Sequence, residues 1–139
     1  MAATGPRLAA VFLLSAALSA AQPNKAIYRQ VTHVATALTA GNAADAMTTF
    51  DKAFSDYDRL RDYFSALTNA YQLVNEIEVT GEQIADSEAT LTVHWVMTLS
   101  DSETRTEDVT VKLNLRESKW RIVDFSPVEF FNPQLRKSK

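Results

Sequence analysis

The sequence predicts an α+β domain, with three N-terminal helices packed on a curved antiparallel sheet of about four strands. Three observations carry this. First, Leu91-Thr92-Val93-His94-Trp95-Val96-Met97-Thr98-Leu99 puts large apolar side chains at every odd position, and Val96 is the one apolar exception among the even ones. That period of two marks a strand with one buried face. Second, Val109, Val111, Leu113 and Leu115 repeat the pattern after a polar turn, and Trp120-Arg121-Ile122-Val123-Asp124-Phe125 gives a further run. Third, Ile27, Val31, Val34 and Leu38, and then Tyr57, Leu60, Phe64, Leu67 and Tyr71, recur at three-to-four spacing. Such stripes belong to amphipathic helices that cover the apolar face of a sheet.

In chain order, Arg7 precedes an apolar run from Leu8 to Leu18, and the small residues Ser19-Ala20-Ala21 follow. This predicts a secretory signal peptide over 1–21 and a single domain over 22–139. The run is about half of the roughly 20 residues that a spanning helix needs. The expectation is an exported protein, periplasmic or secreted, with no stable membrane anchor after cleavage. The chain has no Asn-x-Ser/Thr acceptor, which fits a bacterial source.

Asn24 is a suitable cap for a first helix over Lys25–Ala40, and Gly41 ends it where a left-handed turn is easiest. Asn42 caps a short second helix, with Asp45 in its first turn and Ala43, Met47 and Phe50 on its buried side. Ser55 with Asp58 resembles a capping box for the third helix, which runs to Ala70. Asp58 and Asp62 form a like-charged i,i+4 pair, so the outer side of that helix is expected to be solvated rather than cross-linked. A strand from Leu73 follows, with Gly81 as a bulge and Ile84 as its continuation. Ala85-Asp86-Ser87, Ser100–Thr104 and Glu117-Ser118-Lys119 are turns, so the strands form a meander. Pro127 stops the last strand, and Phe130 and Phe131 are placed to plug the core.

Composition excludes several function classes. The net charge is −3, and removing Arg7 leaves 13 basic against 17 acidic residues, which argues against a nucleic-acid partner. With no cysteine there is no disulfide, thiol chemistry or lipoprotein anchor, and two histidines alone do not suggest a metal site. Three glycines leave no phosphate-binding loop, so no cofactor is expected.

The segment Leu38-Thr39-Ala40-Gly41-Asn42-Ala43-Ala44-Asp45-Ala46 leading to Phe50 resembles the first helix junction of the nuclear-transport-factor-2-like superfamily, and Ser118-Lys119-Trp120-Arg121-Ile122 is similar to its last strand. The resemblance covers the mature chain and implies a cystatin-like cone with a pocket at its wide end. It departs from the superfamily in one respect: no clear strand stands between the second and third helices. The superfamily holds isomerases, dehydratases and polyketide cyclases as well as binding and dimerisation modules, so fold alone does not choose among them.

Asp124 is the one carboxylate with catalytic promise. If Trp120 and Ile122 point inward, a period of two carries Asp124 with them, and in an apolar cone it would act as general acid or base. The alternative inward set is Val123 and Phe125, with Arg121; the resemblance favours Trp120 inward. Tyr57, Phe64, Tyr71, Asn75, Trp95 and Trp120 are candidate pocket-lining residues, although aromatic sets at such spacing also make plain core. His33 falls on a solvated helix face. Thr92, His94, Val96 and Thr98 lie on the outer sheet face, a candidate homodimer surface. The expected function is binding of a small apolar ligand or a protein partner without catalysis. The alternatives are an Asp124-dependent isomerase, dehydratase or cyclase, and a structural dimerisation module.

Overall fold

A computed structural model describes residues 24–134. The predicted signal peptide and the basic end Arg136-Lys137-Ser138-Lys139 lie outside the described residues. Helix α1 spans 24–39, α2 Ala43–Met47 and α3 Tyr57–Ala70. Strands β1 (Leu73–Ile84), β2 (Glu88–Leu99), β3 (Thr104–Arg116) and β4 (Lys119–Ser126) pair in the order β1-β2-β3-β4, all antiparallel. A short 3-10 helix, Val128–Phe131, follows a cis Ser126–Pro127 bond. The α+β prediction of three helices and a four-strand meander stands.

The helix stripes are buried as their spacing requires. Ile27, Val31, Val34 and Leu38 of α1, and Leu60, Phe64 and Leu67 of α3, have no solvent exposure. Gly41 takes a φ of 79° and ends α1. Its N–H donates to the Leu38 carbonyl and that of Asn42 to the Ala37 carbonyl, the paired bonds of a Schellman close. Asn42 Oδ1 then accepts from the Asp45 N–H at 3.0 Å, so the predicted cap of α2 is made. His33 Nε2 lies 3.2 Å from Asp45 Oδ1 and ties α1 to α2.

Two local expectations need correction. The N-cap of α3 is Asp56, not Ser55, and it makes no side-chain cap bond. The outer side of α3 is cross-linked: Arg61 reaches Asp58 at 3.1 Å and Asp62 at 3.2 Å, because a guanidinium between two carboxylates turns their repulsion into two ion pairs. Among the described residues no strand stands between α2 and α3, as expected, and the connection makes one isolated parallel bridge, Phe50 to Ile122. The Asp51 N–H donates to the Ile122 carbonyl and the Ile122 N–H to the Thr49 carbonyl, which covers the free edge of β4.

The odd residues Leu91, Val93, Trp95, Met97 and Leu99 of β2 are all buried. β1 shifts register between Val79 and Gly81, where the sequence places its bulge. The 3-10 segment docks on α3 through Glu129, which accepts from Tyr63 Oη at 2.7 Å, Arg59 Nη1 at 3.0 Å and Asn132 Nδ2 at 2.8 Å. The bonds from Asn132 and Tyr63, aided by the Arg59 charge, hold the Glu129 carboxyl below its ordinary value.

Candidate functional site

The inner face of the sheet carries aromatic rings. Phe125 lies 5.2 Å from Phe50, 5.8 Å from Trp95 and 5.4 Å from Phe131, centroid to centroid. Phe131 also meets Phe64 and Trp95, each at 5.3 Å and nearly edge-on. Such spacing is that of rings packed to favour their quadrupoles. The space that a pocket would take is filled by side chains, and Phe131 plugs it as its position after Pro127 suggests.

Asp124 is not among these rings. Lys112 pairs with Asp124 but Leu113 with Ile122, so Val123 is an extra residue, a β-bulge in β4. The bulge reverses the alternation. Trp120 and Ile122 point inward, as expected, and then Phe125 does, whereas Asp124 joins the outer face with Lys112. Its Oδ1 accepts from the Phe125 N–H at 2.9 Å. The inward register expected for Asp124 is therefore corrected. Of the two inward sets read from the sequence, the first is right in Trp120 and Ile122 and the second in Phe125 alone.

The six residues named as pocket-lining do not surround one cavity. Phe64 and Trp95 are wholly buried in the ring cluster. Asn75 accepts from Trp95 Nε1 at 2.9 Å, and its own Nδ2 donates to Thr39 Oγ1 at 3.2 Å. The amide thus satisfies an indole N–H that would otherwise cost about 1–3 kcal/mol unpaired. Tyr57, Trp120 and Tyr71 each border a different surface cleft, of about 730, 370 and 460 Å³. Among the described residues no three His, Asp or Glu side chains converge as metal ligands, and no helix is long and apolar enough to cross a membrane.

The outer face is built by β2 with its neighbours. Thr90, Thr92, His94, Val96 and Thr98 alternate with the core residues and are half-buried in the single chain. Register sets Thr106 beside Val96 and Thr110 beside Thr92. Charges cross this face in a row: Glu78 pairs with His94, and His94 with Asp108, whose Oδ1 lies 3.0 Å from His94 Nδ1. His94 is thus held by Asp108, with Glu78 its register neighbour on β1, rather than free on a threonine surface.

One buried charge escapes the sequence reading. Arg105 is 3% exposed. Its Nε donates to Glu103 at 2.9 Å, and its Nη atoms donate to the carbonyls of Phe130, Asn132 and Pro133. It clamps the segment that carries Phe131. The available signal was parity, since Arg105 lies in phase with Val109 and Val111.

No protein-family model matches the chain, and no curated protein does. Solved structures do match. A Nostoc punctiforme protein of unknown function with a cystatin-like fold is 14% identical, with 81% of this chain and 95% of that one covered and a TM-score of 0.62. A nuclear-transport-factor-2-like protein with a cystatin-like fold from Novosphingobium aromaticivorans is 14% identical, covers 81% and 84%, and gives 0.63. A candidate calcium/calmodulin-dependent protein kinase II association domain from Xanthomonas campestris is 16% identical, covers 76% and 84%, and gives 0.60. At such identities the likeness is one of fold, and the fold of this chain is the cystatin-like fold of nuclear-transport-factor-2-like proteins.

Proposed function

We propose that this chain is an exported, non-catalytic association domain that forms a homodimer through the outer face of its sheet. The observation that carries it is the contrast between the two faces. The inner face is closed by Phe125, Phe131 and Phe64, so a small apolar ligand would have to displace core rings. The outer face keeps Thr92, Val96 and Thr98 half-exposed in the single chain. Hydroxyl and branched side chains of this kind lose little hydration on pairing, as the centre of a protein interface requires.

A second copy is the occupant that the charges fit. Glu76 and Glu78 lie on β1, while Lys112 lies on β3. A two-fold axis along β2 sets β1 of one copy across from β3 of its mate, with Glu76 and Glu78 toward Lys112. The Xanthomonas neighbour, described as an association domain, supports this by analogy of fold. The enzyme reading has lost its general acid or base from the interior, since Asp124 pairs with Lys112 on the outer face.

Sedimentation velocity tests the proposal. The mature protein is expected to sediment as a dimer, and Thr92→Lys with Val96→Lys as a folded monomer. A native protein that stays monomeric at high concentration overturns it.

A further inference from the structure

The clefts bordered by Tyr57 and Trp120 adjoin, since Thr48 and Arg121 line both. They run along the β4 edge and around the β3–β4 hairpin, on the outside of the cone. Their charge runs against that of the chain. Lys52, Arg116 and Arg121 line the first, and Arg29, Lys119 and Arg121 the second. Five cations face two carboxylates, Asp51 and Glu117, in a protein of net charge −3. Asp51 is engaged by Arg116 at 3.3 Å. Arg29, Lys52 and Lys119 have no ion-pair partner among the described residues.

Two features of the hairpin are unfavourable in the free protein. Glu117 and Ser118 form its two-residue loop with φ of 52° and 71°, left-handed values taken without glycine or asparagine. Each costs about 1 kcal/mol or more. The same turn sets Arg116 directly opposite Lys119 across the strands, and like charges so placed repel. Strain and repulsion meet at the rim of the basic cleft. A bound anion would offset the repulsion.

The cleft floor is apolar. Met47 and Phe50 are almost wholly buried beneath it, and Tyr57 is half-buried at its side. The volume of about 730 Å³ lies within the range of small-molecule sites, roughly 300–1,000 Å³. We infer that this groove binds a small anionic amphiphile: an organic molecule whose apolar body rests on Tyr57 and Ala44, over the buried Met47 and Phe50, and whose carboxylate or phosphate head meets Arg121 and Lys119. The site is independent of the dimer face.

Calorimetric titration of the mature protein with decanoate tests this, with decanol as the uncharged control and phosphatidylglycerol vesicles as the lipid-surface arm. Decanoate is expected to bind and decanol to bind at least about tenfold more weakly. Lys119→Glu is expected to weaken decanoate by a similar factor. It should not lower the melting temperature of the free protein, because it replaces a repulsive cross-strand pair by an attractive one. Arg29→Glu, which lies on α1 and lines the same cleft without belonging to the hairpin, is the second variant should the first fail to fold. Equal binding of decanol and decanoate, undiminished binding by the folded variant, or binding to vesicles without binding to decanoate each overturns the inference.

Discussion

At the scale of single residues, Arg105 is a buried polar anchor outside the aromatic core. A buried guanidinium is tolerable only when its donors are used, and here they are spent on Glu103 and on the carbonyls of Phe130, Asn132 and Pro133. Arg105→Ala leaves those acceptors facing a void and is expected to cost about 3 kcal/mol in urea unfolding. Arg105→Lys restores the charge without the fork and should recover only part of that. An unchanged urea midpoint for Arg105→Ala contradicts the clamp. The sequence holds the phase of Arg105, two steps of two before Val109, but a charge at an inward position reads as the end of a strand. Asp124 shows the opposite failure. Its phase predicts the interior, yet an extra residue at Val123 turns it out. Alternation constrains a strand only up to its first bulge, and nothing in Val123-Asp124 marks one.

At the scale of elements, the helices were legible because each carries its stripe and punctuation on itself. Ile27 to Leu38, Gly41 and Asn42 determine α1 and its exit by local rules alone. The Phe50–Ile122 bridge was not legible, since one parallel pairing across 72 residues leaves no period to detect. The docking of the 3-10 segment on α3 is another such long-range contact. Its pH dependence follows from Glu129, whose folded value is lowered, mainly by the bonds from Asn132 and Tyr63. The folded state binds this proton less readily than the unfolded one. The stabilisation is therefore fully present above the ordinary value of 4.5 and is lost as pH falls below it, through the folded value. Glu129→Gln is expected to flatten the acid limb of stability below pH 4.5, read by thermal melts across that range. An identical acid limb in native and variant protein removes Glu129 from the account. Because the groups are exposed, the effect is small and weakens with salt.

At the scale of the whole molecule, the site candidates separated because the interior is a packed core. The sequence shows that Trp95, Phe64 and Trp120 are large and apolar. Whether such rings line a cavity or fill it depends on Phe125 and Phe131, brought in from β4 and the segment beyond it. With the cone closed, the proposed dimer becomes a question of stability. If folding and association are coupled, mass action ties the melting temperature to concentration. A tenfold rise in protein concentration adds about 1.4 kcal/mol per dimer, half of it per subunit. In a domain of this size that corresponds to a rise of roughly 2–4 °C. Val96→Lys sets a charge against its own image across the two-fold axis, so its melting temperature should be independent of concentration. Raised salt should weaken the native dimer in so far as Glu76 and Glu78 face Lys112 of the mate. A native melting temperature that is flat over two decades of concentration would place the association energy below what a stable homodimer needs. The outer face would then be an ordinary solvated sheet.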